Sequence, residues 1–173
     1  MRDAIRPVSR EEILREEAII QQIRLRPDRP GSYCIITYGC QMNAHDSEKL
    51  SGILEGMGML PEPDRQKADL ILFNTCCIRD NAERRAMGNI IFTKEIRKMR
   101  PHLLVGVCGC MAQQQGFQER LKDRYPFVDF SFGPGEIYQL PSRLLCAMEG
   151  RRAEAFRTGE DSTLYEGLPV LRS

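Results

Sequence analysis

Cys40, Cys76 and Cys110 stand thirty-six and thirty-four residues apart in a chain of 173 residues that holds seven cysteines. Thiolate is a strong ligand for iron and zinc, so three such groups aimed at one point suit a soft metal ion or an iron–sulfur cluster. Four cysteines would close the coordination sphere of a cubane cluster. Three leave one iron open to an exogenous ligand, an arrangement for chemistry rather than for structure. Seven is an odd number, and the cysteines do not form the dense array of a small disulfide scaffold, which turns the reading toward metal or redox chemistry. Two alternatives use the same residues: a three-cysteine zinc site or electron-transfer module, and an interaction scaffold in which the cysteines are incidental.

Such chemistry requires elements that bring the three cysteines together. Each follows a short aliphatic or β-branched run: Tyr33 to Tyr38, Leu70 to Phe73 and Leu103 to Val107. After each run comes a small polar loop and then a helical pattern, which predicts helices from about Asp46 to Met57, from Asp80 to Pro101, and from Met111 to about Arg124. A fourth run, Val128 to Phe132, meets Gly133-Pro134-Gly135, and Pro141 suits the start of a last helix. Met59 to Glu62 reads as a short edge strand. Strands alternating with helices predict an α/β fold: three layers, a mostly parallel sheet of about five strands, helices on both faces, flavodoxin- or Rossmann-like. In a parallel sheet the β-to-α loops leave from the carboxyl ends of the strands, where ligands of open α/β folds bind. The cysteines therefore converge on one edge.

The flanks carry different patterns. Ser9-Arg10-Glu11-Glu12 has capping-box form, and Ile13, Leu14, Ile19, Ile20 and Ile23 give an apolar stripe up to Pro27. Residues 1–30 read as an appended helical arm and linker, residues 31–150 as the cysteine-bearing domain, and residues 151–173 as a polar linker.

Around the cysteines, Gln41, Asn43, Asn74 and Thr75 are candidates to donate hydrogen bonds to a cluster or its bound ligand, with loop capping as the plainer role. Arg79 is a cation at a helix start, where the dipole opposes it, which points to a contact with cluster, substrate or another domain. Cys34 within a strand and Cys146 on the apolar side of a helix read as small hydrophobes. His45 and His102 follow no ligand spacing. Arg84, Arg85, Lys94, Arg97, Lys98 and Arg100 share one helix with Glu83 and Glu95, the pattern of a solvated face.

A net charge of +1 gives little of the attraction on which binding to a phosphate backbone rests. No apolar run approaches the roughly 20 residues of a membrane span, and the amino terminus lacks the apolar stretch of a secretory signal, so a cytoplasmic location is expected. Neither a Gly-x-Gly-x-x-Gly fingerprint nor a Gly-Lys-Ser/Thr phosphate loop is present.

Three blocks add identity to this pattern: Thr37-Tyr38-Gly39-Cys40-Gln41-Met42-Asn43, Asn74-Thr75-Cys76-Cys77-Ile78-Arg79 and Gly109-Cys110-Met111-Ala112-Gln113. In order and spacing, from about residue 31 to residue 150, they resemble the N-terminal domain of the radical-SAM methylthiotransferases. The first block is most similar to the subgroup that adds a methylthio group to C2 of N6-isopentenyladenosine at tRNA position 37.

The resemblance implies that Cys40, Cys76 and Cys110 hold an auxiliary [4Fe–4S] cluster whose open iron carries the sulfur to be transferred. One S-adenosylmethionine (SAM) would methylate that sulfur and a second would yield the radical that activates the adenosine. Cys77 and Cys108 lie outside the family motif and are expected to be bystanders. The Cys-x-x-x-Cys-x-x-Cys motif of the SAM cluster is absent. The resemblance therefore implies that SAM, a second cluster and RNA recognition belong to a radical-SAM domain and a C-terminal RNA-binding domain outside these residues. The present chain should be inactive alone and should meet tRNA only weakly.

Overall fold

The computed structural model describes residues 8–39, 41–77 and 80–156. Five strands form one parallel sheet: β1 (Ser32–Thr37), β2 (Leu60–Pro61), β3 (Leu70–Thr75), β4 (Leu104–Gly109) and β5 (Phe130–Phe132), in the order β2-β1-β3-β4-β5. Every residue of β3 is buried, as expected of a central parallel strand covered on both faces, and its Leu70-Ile71-Leu72-Phe73 run supplies the middle of the core. The short edge strand read from Met59 to Glu62 is present as β2.

Helices α2 (Gln41–Gly56) and α3 (Asp80–Met99) follow β1 and β3. The chain leaves β1 toward β2 on one side and then crosses to β3, β4 and β5 on the other. Right-handed crossovers in opposite directions put their helices on opposite faces, which gives the three layers. On one face α2 packs with α1 (Arg10–Arg24) and α6 (Leu140–Met148), while α3 and α5 (Phe117–Arg124) cover β3 and β5.

The capping box at Ser9 forms as the sequence indicates: Ser9 Oγ accepts from the Glu12 amide, and the Glu12 carboxylate accepts from the Ser9 amide. Helix α1 buries Ile19 and Ile23 and lies against α6. Two expectations are corrected. Helix α2 starts at Gln41 rather than near Asp46. The single helix expected up to Arg124 is two, α4 (Cys110–Gln113) and α5, because Gln114 is extended (φ −63, ψ 139) and Gly116 has φ +76. The basic face of α3 is also only partly solvated. Arg97 donates to the Phe127 carbonyl and pairs with Asp129, and Arg100 donates to the Ala68 carbonyl and pairs with Asp69, so both clamp loops at the amino ends of strands. Among the described residues no helix is long and apolar enough to cross a membrane.

The face carrying α1 and α6 holds two buried ionisable side chains. Arg143 is fully buried and bonds Ser131 O at 2.9 Å, Glu136 Oε2 at 3.2 Å and Gln139 Oε1 at 2.9 Å, which ties β5 to α6 through the 3-10 turn at Pro134–Gln139. Burial pulls its guanidinium below the usual arginine range, against the attraction of Glu136. Glu16 of α1 is only 4% exposed, and neither carboxyl oxygen reaches a partner with hydrogen-bond geometry. Burial pushes Glu16 up to about 8, against the opposing influence of Ser142 and Arg143.

The folded chain therefore keeps a Glu16 proton that the unfolded chain releases near the ordinary glutamate value of 4.5, and the stability that this proton favours is lost as pH rises from there to about 8. Thermal melts from pH 5 to 9 should show the wild-type midpoint falling over that window relative to Glu16→Gln. Parallel curves for the two proteins would mean that the carboxyl is solvated and titrates normally.

Candidate metal centre

The order β2-β1-β3-β4-β5 reverses direction between β1 and β3, and in open α/β sheets the carboxyl ends at such a reversal form the ligand crevice. Two of the three cysteines of the sequence reading, Cys76 and Cys110, lie at this edge. Cys76 follows the last residue of β3, and Cys110 opens α4 directly after β4. Cys40 and Arg79 lie outside the described residues. Cys40 is bonded in sequence to Gly39 and Gln41, two residues past the Tyr38 that ends the β1 run.

Strand register sets the spacing of the edge. Thr37 is opposite Asn74, and Thr75 is opposite Gly109. Cys76 and Cys110 thus each follow one member of a paired couple, on strands about 4.8 Å apart. Two glycines let the loops close further. Gly39 has φ +98, and a Cβ built there would stand 2.4 Å from Cys76 Cβ and 2.6 Å from Cys76 Sγ. Gly109 has φ +93 and ψ −166, a region open essentially to glycine alone, and a Cβ there would stand 2.3 Å from Thr75 O. The residue before each outer cysteine is thereby pressed against the end of β3.

Beneath the edge runs a connected polar network. Asn43 Nδ2 donates to Thr75 O at 2.9 Å, and Asn74 Nδ2 donates to Asn43 O at 2.8 Å and to Ser47 Oγ at 2.9 Å. Ser47 Oγ lies 2.7 Å from Thr37 Oγ1. Thr75 Oγ1 donates to Cys108 O at 2.6 Å and accepts from the Met111 amide at 3.3 Å. A second chain starts at Tyr38: its amide donates to Asn74 O, its hydroxyl accepts from Asn89 Nδ2, and Asn89 Oδ1 accepts from Arg65. Buried amides of this kind must be satisfied, and here each satisfies a neighbouring loop.

Of the residues read as candidates, Asn43, Asn74 and Thr75 are brought together and buried, whereas Gln41 is exposed at the start of α2. The side-chain protons of Asn74 and Thr75 are committed to protein acceptors. Cys34 and Cys146 are core residues, and burial raises both thiols, Cys146 to about 11. Cys108, read as a loop residue, instead sits inside β4 at 2% exposure, where burial pushes its thiol far above the ordinary range. Cys77 and Cys110 are half-buried. His45 and His102 are exposed. The sequence reading missed Tyr38, Ser47, Gly39 and Gly109 as site-building residues. The repeated Gly-Cys dipeptide at 39–40 and 109–110 was the available signal for the glycines.

Residues 32–133, the span from β1 to the end of β5, match the family described as "Uncharacterized protein family UPF0004". The chain belongs to this family. The UPF0004 match takes in all three cysteine loops and the network beneath them. Curated relatives extend the likeness. A protein of Clostridium tetani (strain Massachusetts / E88) is 40% identical over 154 residues, which is 89% of this chain and 34% of the relative. One of Alkaliphilus oremlandii (strain OhILAs) is 40% identical over 166 residues, 95% of this chain and 35% of the relative. One of Caldicellulosiruptor saccharolyticus is 42% identical over 141 residues, 82% of this chain and 30% of the relative. All three carry the name tRNA-2-methylthio-N(6)-dimethylallyladenosine synthase. The chain spans about a third of the length of these relatives.

The closeness of Gly109 to Thr75 gives a direct test of how the UPF0004 edge is built. Gly109→Ala should lower stability by about 1–3 kcal/mol for the backbone conformation alone, with the clash against Thr75 O added. Gly116→Ala, also at positive φ but with open space around the new Cβ, should cost less. Denaturant unfolding of both variants decides it, and equal losses would mean that the close approach to Thr75 is not a constraint.

Proposed function

We propose that this chain is the cluster-holding domain of a tRNA methylthiotransferase, with Cys40, Cys76 and Cys110 as ligands of a [4Fe–4S] cluster that keeps one iron open. The observation that carries this reading is the placement of Cys76 and Cys110 on adjoining, in-register strand ends, with the glycine preceding Cys40 packed on Cys76. The donor set fits the group. The candidate ligands are thiols on three loops of one edge, and thiolate is the ligand iron–sulfur clusters take. When bound, such a cluster would supply an iron coordinate open to the sulfur that a methylthio transfer requires.

The chain's own residues have definite parts in this scheme. Gly39 and Gly109 draw the loops of Cys40 and Cys110 to the end of β3, and Asn43 and Asn74 fasten the start of α2 to that strand. The long helices α2 and α3 start beside the edge and direct their positive ends toward an anionic cluster. Gln41, exposed at this edge, and Arg79 are the candidates for contact with substrate or with a further domain.

The relatives' names supply the reaction class and the substrate. On that reading the full-length enzyme adds a methylthio group to C2 of N6-isopentenyladenosine at position 37 of tRNA in the cytoplasm. SAM cleavage and RNA recognition in this scheme belong to a radical-SAM domain with its own [4Fe–4S] cluster and to an RNA-binding domain; the Cys-x-x-x-Cys-x-x-Cys motif of the former is absent from these 173 residues. The chain alone is inactive in this scheme.

Anaerobic reconstitution with iron and sulfide tests the reading. About four irons should bind per chain, with visible absorption, and Cys40→Ala, Cys76→Ala and Cys110→Ala should each abolish stable binding, whereas Cys77→Ala and Cys108→Ala should not. Retention of zinc without visible absorption would replace the cluster with a zinc site. Iron uptake that survives Cys40→Ala would remove the three-cysteine assignment.

A further inference from the structure

We infer that Thr75 is a positioning residue for the metal-binding cysteines: its hydroxyl sets the backbone on both sides of Cys110 relative to Cys76 and does not itself contact the bound group. Thr75 is fully buried at the end of β3, directly before Cys76. Its Oγ1 donates to Cys108 O at 2.6 Å and accepts from the Met111 amide at 3.3 Å. Cys108 and Met111 bracket the turn that contains Gly109 and Cys110. One hydroxyl thus grips the chain on either side of Cys110 while its own backbone continues into Cys76.

A hydroxyl has one proton, and here it is committed to a carbonyl, so it has none to donate to a cluster sulfide. What Thr75 offers a ligand is geometry. The turn needs that support, because Gly109 interrupts β4 in a conformation of its own and the β4 ladder ends there. The grip also acts in the other direction. Asn43 Nδ2 holds Thr75 O at 2.9 Å, so the same residue is tied to the helix that follows Cys40. Thr75 is the point at which the supports of all three cysteine loops meet.

Residues that orient metal ligands without touching the metal are worth 10–100-fold in affinity when altered. The inference rests on the cluster reading for one of its two measurements only. The variants are Thr75→Val, which keeps the shape and removes the hydroxyl, and Thr75→Ser, which keeps the hydroxyl. Circular dichroism and thermal midpoints first establish that both fold. In the reconstituted chain, loss of iron to a chelator should be at least about tenfold faster in Thr75→Val than in wild type, and Thr75→Ser should restore the slow rate. A Thr75→Val chain that folds and keeps its iron at the wild-type rate overturns the inference and leaves the cluster reading intact.

The second measurement needs no cluster. A trivalent arsenical is held by two thiols only if both reach it together. In a Cys40→Ala, Cys77→Ala, Cys108→Ala background it should stay on the Cys76–Cys110 pair and dissociate markedly faster after Thr75→Val. If wild type takes up no iron, the cluster reading fails, and the arsenical alone decides the inference. Equal retention with and without the hydroxyl overturns it.

Discussion

A side chain at position 109 would have to occupy the space already filled by the Thr75 carbonyl. That close approach governs the site, because it lets β4 end flush against β3, with Gly109 opposite Thr75, and release Cys110 into α4. Parallel pairing alone would not do this. A strand continuing past residue 109 in register would set residue 110 opposite Cys76 and run on along its axis at about 3.3 Å per residue, instead of turning Cys110 into a helix. The turn at Gly109 ends the extension, and the Thr75 hydroxyl keeps the turn closed. The Gly39 loop makes the corresponding approach to Cys76 from the β1 side. The edge is therefore organised around the last two residues of the central strand.

The same logic explains the polar end of an otherwise apolar strand. Leu70 to Phe73 fill the core, and Asn74 and Thr75 are equally buried but need hydrogen-bond partners. An apolar pair there would leave the contacts to Asn43, Ser47, Cys108 and Met111 unmade. Buried amides cost stability unless satisfied, and these are satisfied by the start of α2 rather than by the ladder. The chain thus accepts a demanding polar network at the place where three loops must hold a common geometry. On the face carrying α1 and α6, Arg143 and Glu16 show the contrasting outcome. Arg143 finds a set of acceptors, and Glu16 is pushed up to about 8 by burial, which the opposing influence of Ser142 and Arg143 does not offset.

Much of this was legible in the sequence, and the boundary is physical. Short aliphatic runs alternating with helical stretches gave the parallel sheet, since strand and helix periods are local properties. The placement of Cys76 and Cys110 at one edge followed from topology, since β-to-α loops of a parallel sheet share one edge. What escaped was set by partners distant in the chain. Arg97 and Arg100 read as solvated because their carboxylates, Asp129 and Asp69, lie some thirty residues away. The Asn43–Asn74 exchange spans thirty-one residues, and Thr75 to Cys108 thirty-three. The break between α4 and α5 was written locally in Gly116, but a single glycine within a helical pattern is compatible with either outcome.

The Cys-Gly-Cys at 108–110 shows how one residue separates two chemically identical side chains. In an uninterrupted strand, residues two apart share a face, so Cys108 and Cys110 would point the same way. Cys108 keeps that strand position, opposite Asn74 and sealed in the core, where desolvation disfavours its thiolate. Gly109 then leaves the β region, and Cys110 begins a helical turn, half-buried at the edge. The division between a core thiol and an edge thiol is therefore made by the backbone between them. A ligand assignment based on cysteine spacing alone would treat the two alike, whereas the backbone turn at Gly109 distinguishes them.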